Sequence, residues 1–250
     1  MIATKHITAQ TIEGTARHIS AKPWRIVEAQ HRVPTMRLVD TLDEQRTLED
    51  LLEASKPPQP PDAAKLHYLL ATPFRYPPPP PLGSRFRGIG DPGVWYGADV
   101  VQTALAEVAY WRLRFLADSP ATPDLLPVPH TAFRASVAGS AIVLSQPPFD
   151  RQRRQWEDPA SYEATQALAR TAREARIALI RYRSVRDPEH RAALAVLTPK
   201  AFRKSAPLEQ HTWLIKVGRA QVLAEADLGR ERLAFSPEEL GLVSSGAPSP

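Results

Sequence analysis

The chain has no cysteine among its 250 residues. Disulfides, thiolate metal sites and a cysteine nucleophile are therefore excluded. Glycine is scarce at 11, so turns must be set largely by residues of fixed φ. The start, MIATKHITAQTIEGTARHIS, lacks an apolar core of signal-peptide length. No stretch reaches the ~18 apolar residues expected of a membrane span. The seven histidines fall in no HExxH or HxxEH spacing. A GxGxxG after a strand, a Walker-type phosphate loop and GxSxG are likewise missing, which removes the usual sequence support for Rossmann, P-loop and α/β-hydrolase chemistry. A cytoplasmic location is expected, where a cysteine-free chain is at home.

What is abundant is proline, 26 residues against a usual share of about 5%. The prolines cluster at Pro57–Pro61 and Pro77–Pro81, and stand singly at Pro92, Pro159 and Pro188. They mark edges of elements rather than interrupting them. Lysine and arginine exceed aspartate and glutamate by 32 to 27, a net charge of +5. This favours an anionic ligand. With five tryptophans and six tyrosines it also keeps open a nucleic-acid module built on stacking and phosphate contacts, although no binding motif of that kind is present.

Residues 1–62 read as a helical extension with a proline-rich linker. Its helix is placed at Thr35–Ala54, with Leu38, Leu42, Leu48, Leu51 and Leu52 near helical spacing, and KPPQPPD (Lys56–Asp62) follows as an extended segment. The main domain is expected at 66–235 and a frayed tail at 236–250. LHYLLATPF reads as a strand ending at Arg75 and Tyr76. Gly90–Gly93 reads as a turn before a strand, Val94–Tyr96. Asp99 is in N-cap position for a helix, Val100–Ala117, with Gln102 three residues on. Val101, Leu105, Val108, Trp111 or Arg112, and Phe115 form its expected apolar side; Glu107 lies off that stripe, with Thr103 four residues before it.

A strand is expected at Ala135–Leu144 and a helix from Asp158-Pro159 to about Ala175. Ile177–Tyr182 and Ala192–Leu197 read as a hairpin around Asp187-Pro188-Glu189-His190. Two further strands are placed at Trp213–Val217 and Ala220–Leu223. This order predicts an α+β fold with a mixed or antiparallel sheet rather than a doubly wound one. The polar residues Arg75, Arg85, Tyr96, Glu107 and Ser184 stand out in apolar surroundings. Each also has an ordinary structural reading, and spacing alone supports no more than an anion pocket.

The segments Ser84-Arg85-Phe86, Asp91-Pro92-Gly93-Val94-Trp95-Tyr96-Gly97-Ala98 and Thr103-Ala104-Leu105-Ala106-Glu107-Val108-Ala109-Tyr110 closely resemble the RES domain family. So do Asp158–Ala169 and Ser184-Val185-Arg186-Asp187-Pro188. The similarity runs from about Leu66 to Leu223. It departs from the family pattern at Ser84 and Phe86, where glycine and tryptophan are frequent, and at Arg183, where proline commonly precedes the serine.

The resemblance implies the toxin of an Xre–RES toxin–antitoxin module, with a fold similar to ADP-ribosyltransferase toxins and an activity that destroys NAD⁺. By position it implies catalytic roles for Glu107, Arg85 and Tyr96, and NAD⁺ contacts for Arg75, Tyr76, Arg85, Tyr96 and Ser184. No metal or cofactor is implied; NAD⁺ is the substrate, and water, inorganic phosphate or a protein side chain the acceptor. The implied partners are an Xre-type helix-turn-helix antitoxin and a second copy of the chain, with no direct nucleic-acid or membrane binding. A catalytically inactive, interaction-only relative is the remaining alternative.

Overall fold

A ten-stranded sheet organises the molecule. The computed structural model describes residues 7–29, 38–77, 83–226 and 229–242. In chain order its elements are α1 (Ala9–Thr15), β1 (Arg17–Ala21), β2 (Trp24–Glu28), α2 (Leu42–Ser55), α3 (Tyr68–Arg75), β3 (Trp95–Ala98), α4 (Val101–Asp118), β4 (Leu125–Arg134), β5 (Val137–Val143), α5 (Arg153–Trp156), α6 (Glu163–Glu174), β6 (Leu179–Arg183), β7 (Ala192–Val196), β8 (Glu209–Val217), β9 (Val222–Ala226) and β10 (Glu231–Phe235). The strand order is β1-β5-β6-β7-β3-β2-β4-β8-β9-β10. Among the described residues only β5 and β6 pair in parallel, joined by the segment that carries α5 and α6. The expected mixed α+β class is what the chain adopts.

The sheet is two half-sheets. β3 pairs with β7 over four residues and β2 with β4 over five. β2 and β3 themselves meet at one pair, Trp24↔Ala98. Past that point the two strands diverge and leave a gap. On one face α4 covers the β2 side, its Leu105, Ala109, Leu113 and Leu116 packing with Ile26, Ala132, Trp213 and Ile215. On the β3 side of that face α6 packs Leu168, Ala169 and Ala172 with Ile180, Tyr182 and Ala195. The opposite face is closed by α3, with Leu69, Leu70 and Phe74 against Trp95, Phe133 and Val196.

Several local expectations are corrected. LHYLLATPF forms helix α3, not a strand: Leu69, Leu70 and Phe74 lie on one helical flank, and His67 caps it by accepting from the Leu69 amide at 3.3 Å. A short apolar run does not by itself choose between the two periods. Asp99 does not cap α4. Val100 holds that position without a side-chain bond, and the Asp99 carboxylate pairs with Arg181 of β6. Asp158 caps a turn, accepting from Ala160 and Ser161 at 2.8 and 2.9 Å, so α6 begins at Glu163.

The buried side of α4 is built on Ala104, Leu105, Ala106, Ala109, Leu113 and Leu116, whereas Trp111 and Phe115 are 52% and 49% exposed. Small alanines let the helix lie close to the sheet, and they weigh little in an apolar-spacing count.

The segment read as a helical extension contributes two strands, β1 at an edge of the sheet and β2 beside its gap. Its helix α2 spans Leu42–Ser55; residues 35–37 of the expected helix lie outside the described residues. α2 buries none of its side chains, and Leu42, Leu51 and Leu52 are exposed. A Thr41–Glu44 capping box starts it. At the other end Leu240 is buried against the α4 side of the core; residues 243–250 lie outside the described residues, as do 78–81 of the second proline run.

Gly93 sits where α3 crosses the approach to β3. A β-carbon there would lie 2.4 Å from the Phe74 Cα and 2.6 Å from the Pro73 carbonyl oxygen. Both are backbone atoms that cannot rotate away. Gly93→Ala is expected to destabilise the fold by about 1–3 kcal/mol, the usual cost of overpacking, read as a lower urea midpoint with an unchanged m-value.

Candidate active site

The gap between β2 and β3 opens into a cavity of about 520 Å³, within the range usual for small-ligand sites. Its walls come from β2, β3, α4, the loop before β3 and the turn after β6. Three expected site residues stand on it: Arg85, Tyr96 and Glu107. Ser184 lies behind Glu107 with no exposed surface.

Glu107 is the chemical centre. The Ser184 hydroxyl donates to its Oε1 at 2.6 Å. The same oxygen of Ser184 accepts from the amides of Arg186 and Asp187 at 3.2 and 3.1 Å. The single hydroxyl proton of Ser184 is thus committed to the carboxylate, which makes Ser184 a positioning residue. One turn earlier on α4, Thr103 donates to Asp187 at 2.6 Å. Two rungs, four residues apart, therefore fasten one face of α4 to the β6–β7 turn. That spacing is why Thr103 and Glu107 share a face. Asp187 is itself held by Arg191 at 2.8 and 2.9 Å and accepts from the Glu189 amide.

The charges around Glu107 oppose one another. Burial pushes its carboxyl above the ordinary carboxylate range, against the Ser184 bond and the Arg85 and Arg186 guanidiniums, which pull it down. Arg85 donates to the carbonyls of Trp156 and Asp158 at 3.0 and 3.1 Å and lies 5.0 Å from the Tyr162 ring. Arg186 donates to the Pro159 carbonyl at 2.6 Å and stacks 3.7 Å from the Tyr110 ring. Among the described residues neither guanidinium has a carboxylate ion-pair partner. Arg25 crosses the gap, donating from β2 to the Tyr96 carbonyl on β3 at 2.9 Å; burial lowers its pKa to about 10.

Tyr96 fixes the loop that presents Arg85. Its hydroxyl accepts from the Phe86 amide and shares a hydrogen bond with Ser84, both at 2.9 Å. Burial raises its pKa, so it stays neutral. The tight turn beneath Arg85 needs Gly83, whose φ is +70° and whose absent β-carbon would meet the Arg87 carbonyl at 2.3 Å.

Arg75 and Tyr76 are not brought to the cavity. Arg75 donates to Glu53 of α2 at 2.8 Å and to the Pro57 carbonyl at 2.6 Å. The Tyr76 ring lies beside Arg75, and its carbonyl accepts from Arg87. Conversely, Arg186, Arg25, Tyr162 and Tyr182 line the cavity without having been singled out from the sequence. Arg186 was the findable one, two residues from Ser184 in the same turn. The described residues contain no group of three or more histidine, aspartate or glutamate side chains able to hold a metal ion, and no helix long and apolar enough to cross a membrane.

The chain is an α+β protein whose mixed sheet opens at one junction onto a cleft, with the half-buried Glu107 carboxylate and the Arg85 and Arg186 guanidiniums on its wall. The family model for the RES domain matches residues 59–216, and the chain belongs to the RES domain family. A chain of the M. tuberculosis MbcT–MbcA toxin–antitoxin complex aligns with a TM-score of 0.47 and 13% identity, over 93% of this chain and 95% of that one. A search of the curated proteins finds no match.

Asp187 is 1% exposed at its side chain and accepts from two side chains and two amides. Asp187→Ala is expected to cost about 1–3 kcal/mol at pH 7 by leaving buried donors unpaired. Burial works against its ionised form, but the bonds from Arg191 and Thr103 hold its pKa below the ordinary value. Its stabilisation is therefore present above the unfolded-state pKa and lost as pH falls through the lower native one. Urea unfolding of both proteins from pH 7 down to pH 3 checks this: the gap between them narrows at acid pH.

Proposed function

We propose that the cavity binds NAD⁺ and that the protein cleaves its nicotinamide–ribose bond, acting as a toxin neutralised by a cognate Xre-type antitoxin. The observation that carries this reading is the Glu107 carboxylate, half-buried and oriented by Ser184, with Arg85 and Arg186 beside it. Membership of the RES domain family supports the toxin role, and the complex named above is itself a toxin–antitoxin pair. The proposed likeness to ADP-ribosyltransferase toxins belongs to the same reading.

The chemistry asks little besides electrostatics. As the bond between ribose C1′ and the pyridinium nitrogen breaks, its electron pair moves to the nitrogen and neutralises the ring. Positive charge then develops on the ribose, as in glycoside cleavage. An ionised Glu107 beside that ribose stabilises the charge most strongly in a desolvated site. Water completes the reaction by bonding to C1′ and releasing a proton, giving ADP-ribose and nicotinamide; inorganic phosphate in its place gives the phosphorylated sugar. Arg85 and Arg186 suit the pyrophosphate, since the planar fork of arginine matches phosphate oxygens. The Tyr96 ring offers a face to the cationic nicotinamide.

Purified, antitoxin-free protein is incubated with NAD⁺, with and without phosphate, and the products are resolved. Release of nicotinamide without phosphate is expected if water is the acceptor and only with phosphate if phosphate is, and recovery of intact NAD⁺ in both would refute the reading. Glu107→Gln keeps size and polarity but removes the charge, and turnover is expected to fall about 10²-fold or more.

The pH profile carries a separate signature. Because the ionised carboxylate is the active form and burial raises its pKa, activity falls as pH drops through a value above the ordinary carboxylate range. Ser184→Ala removes a bond that favours the ionised form, so its acid limb moves to higher pH. An acid limb unmoved by Ser184→Ala would separate Ser184 from the control of Glu107.

A further inference from the structure

The cavity has two chemically different halves. The inner half holds Glu107, Arg85, Arg186, Tyr96 and Tyr182. The outer half runs along α4 through Val108, Trp111 and Phe115, at the Glu28 end of β2, where Arg112 pairs with Glu28. Glu107, Trp111 and Phe115 follow one another at intervals of four, so the wall extends over roughly 12 Å at 1.5 Å per residue. That is enough to separate the two bases of a bound dinucleotide.

Two observations mark the outer half as a place for a flat, neutral, aromatic group. Trp111 and Phe115 stay about half exposed although they line a cavity, and they are not part of the core beneath α4. Trp111 is steadied edge-on by the buried Tyr110, with ring centroids 5.2 Å apart. The charges here are spent: Arg112 is paired with Glu28, and burial lowers the pKa of His130, keeping it neutral. His130 is buried in the same wall. Its Nδ1 donates to the Val128 carbonyl at 2.9 Å, and its Nε2 has no partner among the described residues.

We propose that the outer half of the cavity is the adenine subsite of the dinucleotide, with Trp111 and Phe115 as its stacking surface. The inference rests on the NAD⁺ reading above. It sets the polarity of the substrate: the cationic nicotinamide lies toward the Glu107 carboxylate and the neutral adenine toward the uncharged aromatic end. Trp111 is then a specificity residue, because stacking rewards the adenosine half of NAD⁺ and gives a substrate without it nothing to bind.

The test separates this subsite from the reaction. AMP, which carries no scissile bond, is titrated calorimetrically into wild-type, Trp111→Ala and Trp111→Phe proteins, each first shown by thermal unfolding to be folded. AMP is expected to bind wild type, to bind Trp111→Ala about 10-fold more weakly or worse, the scale of losing one base-stacking partner, and to bind Trp111→Phe nearly as well as wild type. In parallel, kcat/KM for NAD⁺ relative to nicotinamide mononucleotide is expected to fall about 10-fold in Trp111→Ala. No AMP binding by wild type, or equal affinity in Trp111→Ala, overturns the subsite even if NAD⁺ is cleaved. Tryptophan-dependent AMP binding by a protein that leaves NAD⁺ intact keeps the subsite and removes the reaction.

Discussion

One backbone pair, Trp24↔Ala98, joins the two halves of the sheet, and the site exists because the joint is so narrow. A fully zipped β2–β3 ladder would satisfy its own amides and leave no opening. With a single contact the strands splay, and α4 roofs the gap at an angle that exposes Glu107 on the inside. Arg25 spans the divide by donating to the Tyr96 carbonyl. A charged group is costly to bury alone, and Arg25 lies 5.7 Å from the Trp95 ring as well as bonding that carbonyl.

The same logic governs the Glu107 carboxylate. Withdrawing a glutamate from water raises its pKa and favours the protonated form. Here the Ser184 hydroxyl and two guanidiniums work against that, and the Thr103–Asp187 rung keeps the donor from drifting. Ser184 can serve only because the β6–β7 turn aims the Arg186 and Asp187 amides at its oxygen, leaving its proton one destination. The geometry is set by short-range hydrogen bonds inside one turn and one helix face, which suits a site that must be formed before ligand arrives.

Much of this frame was legible in the sequence. The hairpin around Asp187-Pro188, the helix bearing Glu107 and the class of fold follow from turn residues and periodicity. The N-terminal strands were not legible. Arg17–Ala21 and Trp24–Glu28 are five residues each, too short for alternation to speak, and their partners lie more than 70 residues away in β3, β4 and β5. α3 was misread for a related reason: LHYLLATPF is apolar at both periods, and tertiary packing on Trp95 decided. In the site, Arg85, Tyr96, Glu107 and Ser184 were found because they stand in segments that resemble a family. Arg75 was carried over by position from the same resemblance, at the end of a run read as a strand, yet it pairs with Glu53 of α2. Trp111 was taken for core because spacing reports which residues share a face and says nothing of what covers it.

On the proposed reading, the opening between β2 and β3 holds NAD⁺ with its nicotinamide ribose at residue 107. A crystal structure of the Glu107→Gln protein soaked with NAD⁺ tests it most directly. The C1′ of the nicotinamide ribose is expected beside the side chain at position 107, the pyrophosphate against Arg85 and Arg186, and the adenine at the Trp111 end. A dinucleotide bound outside this opening, or bound with its adenine ribose at position 107, would contradict it.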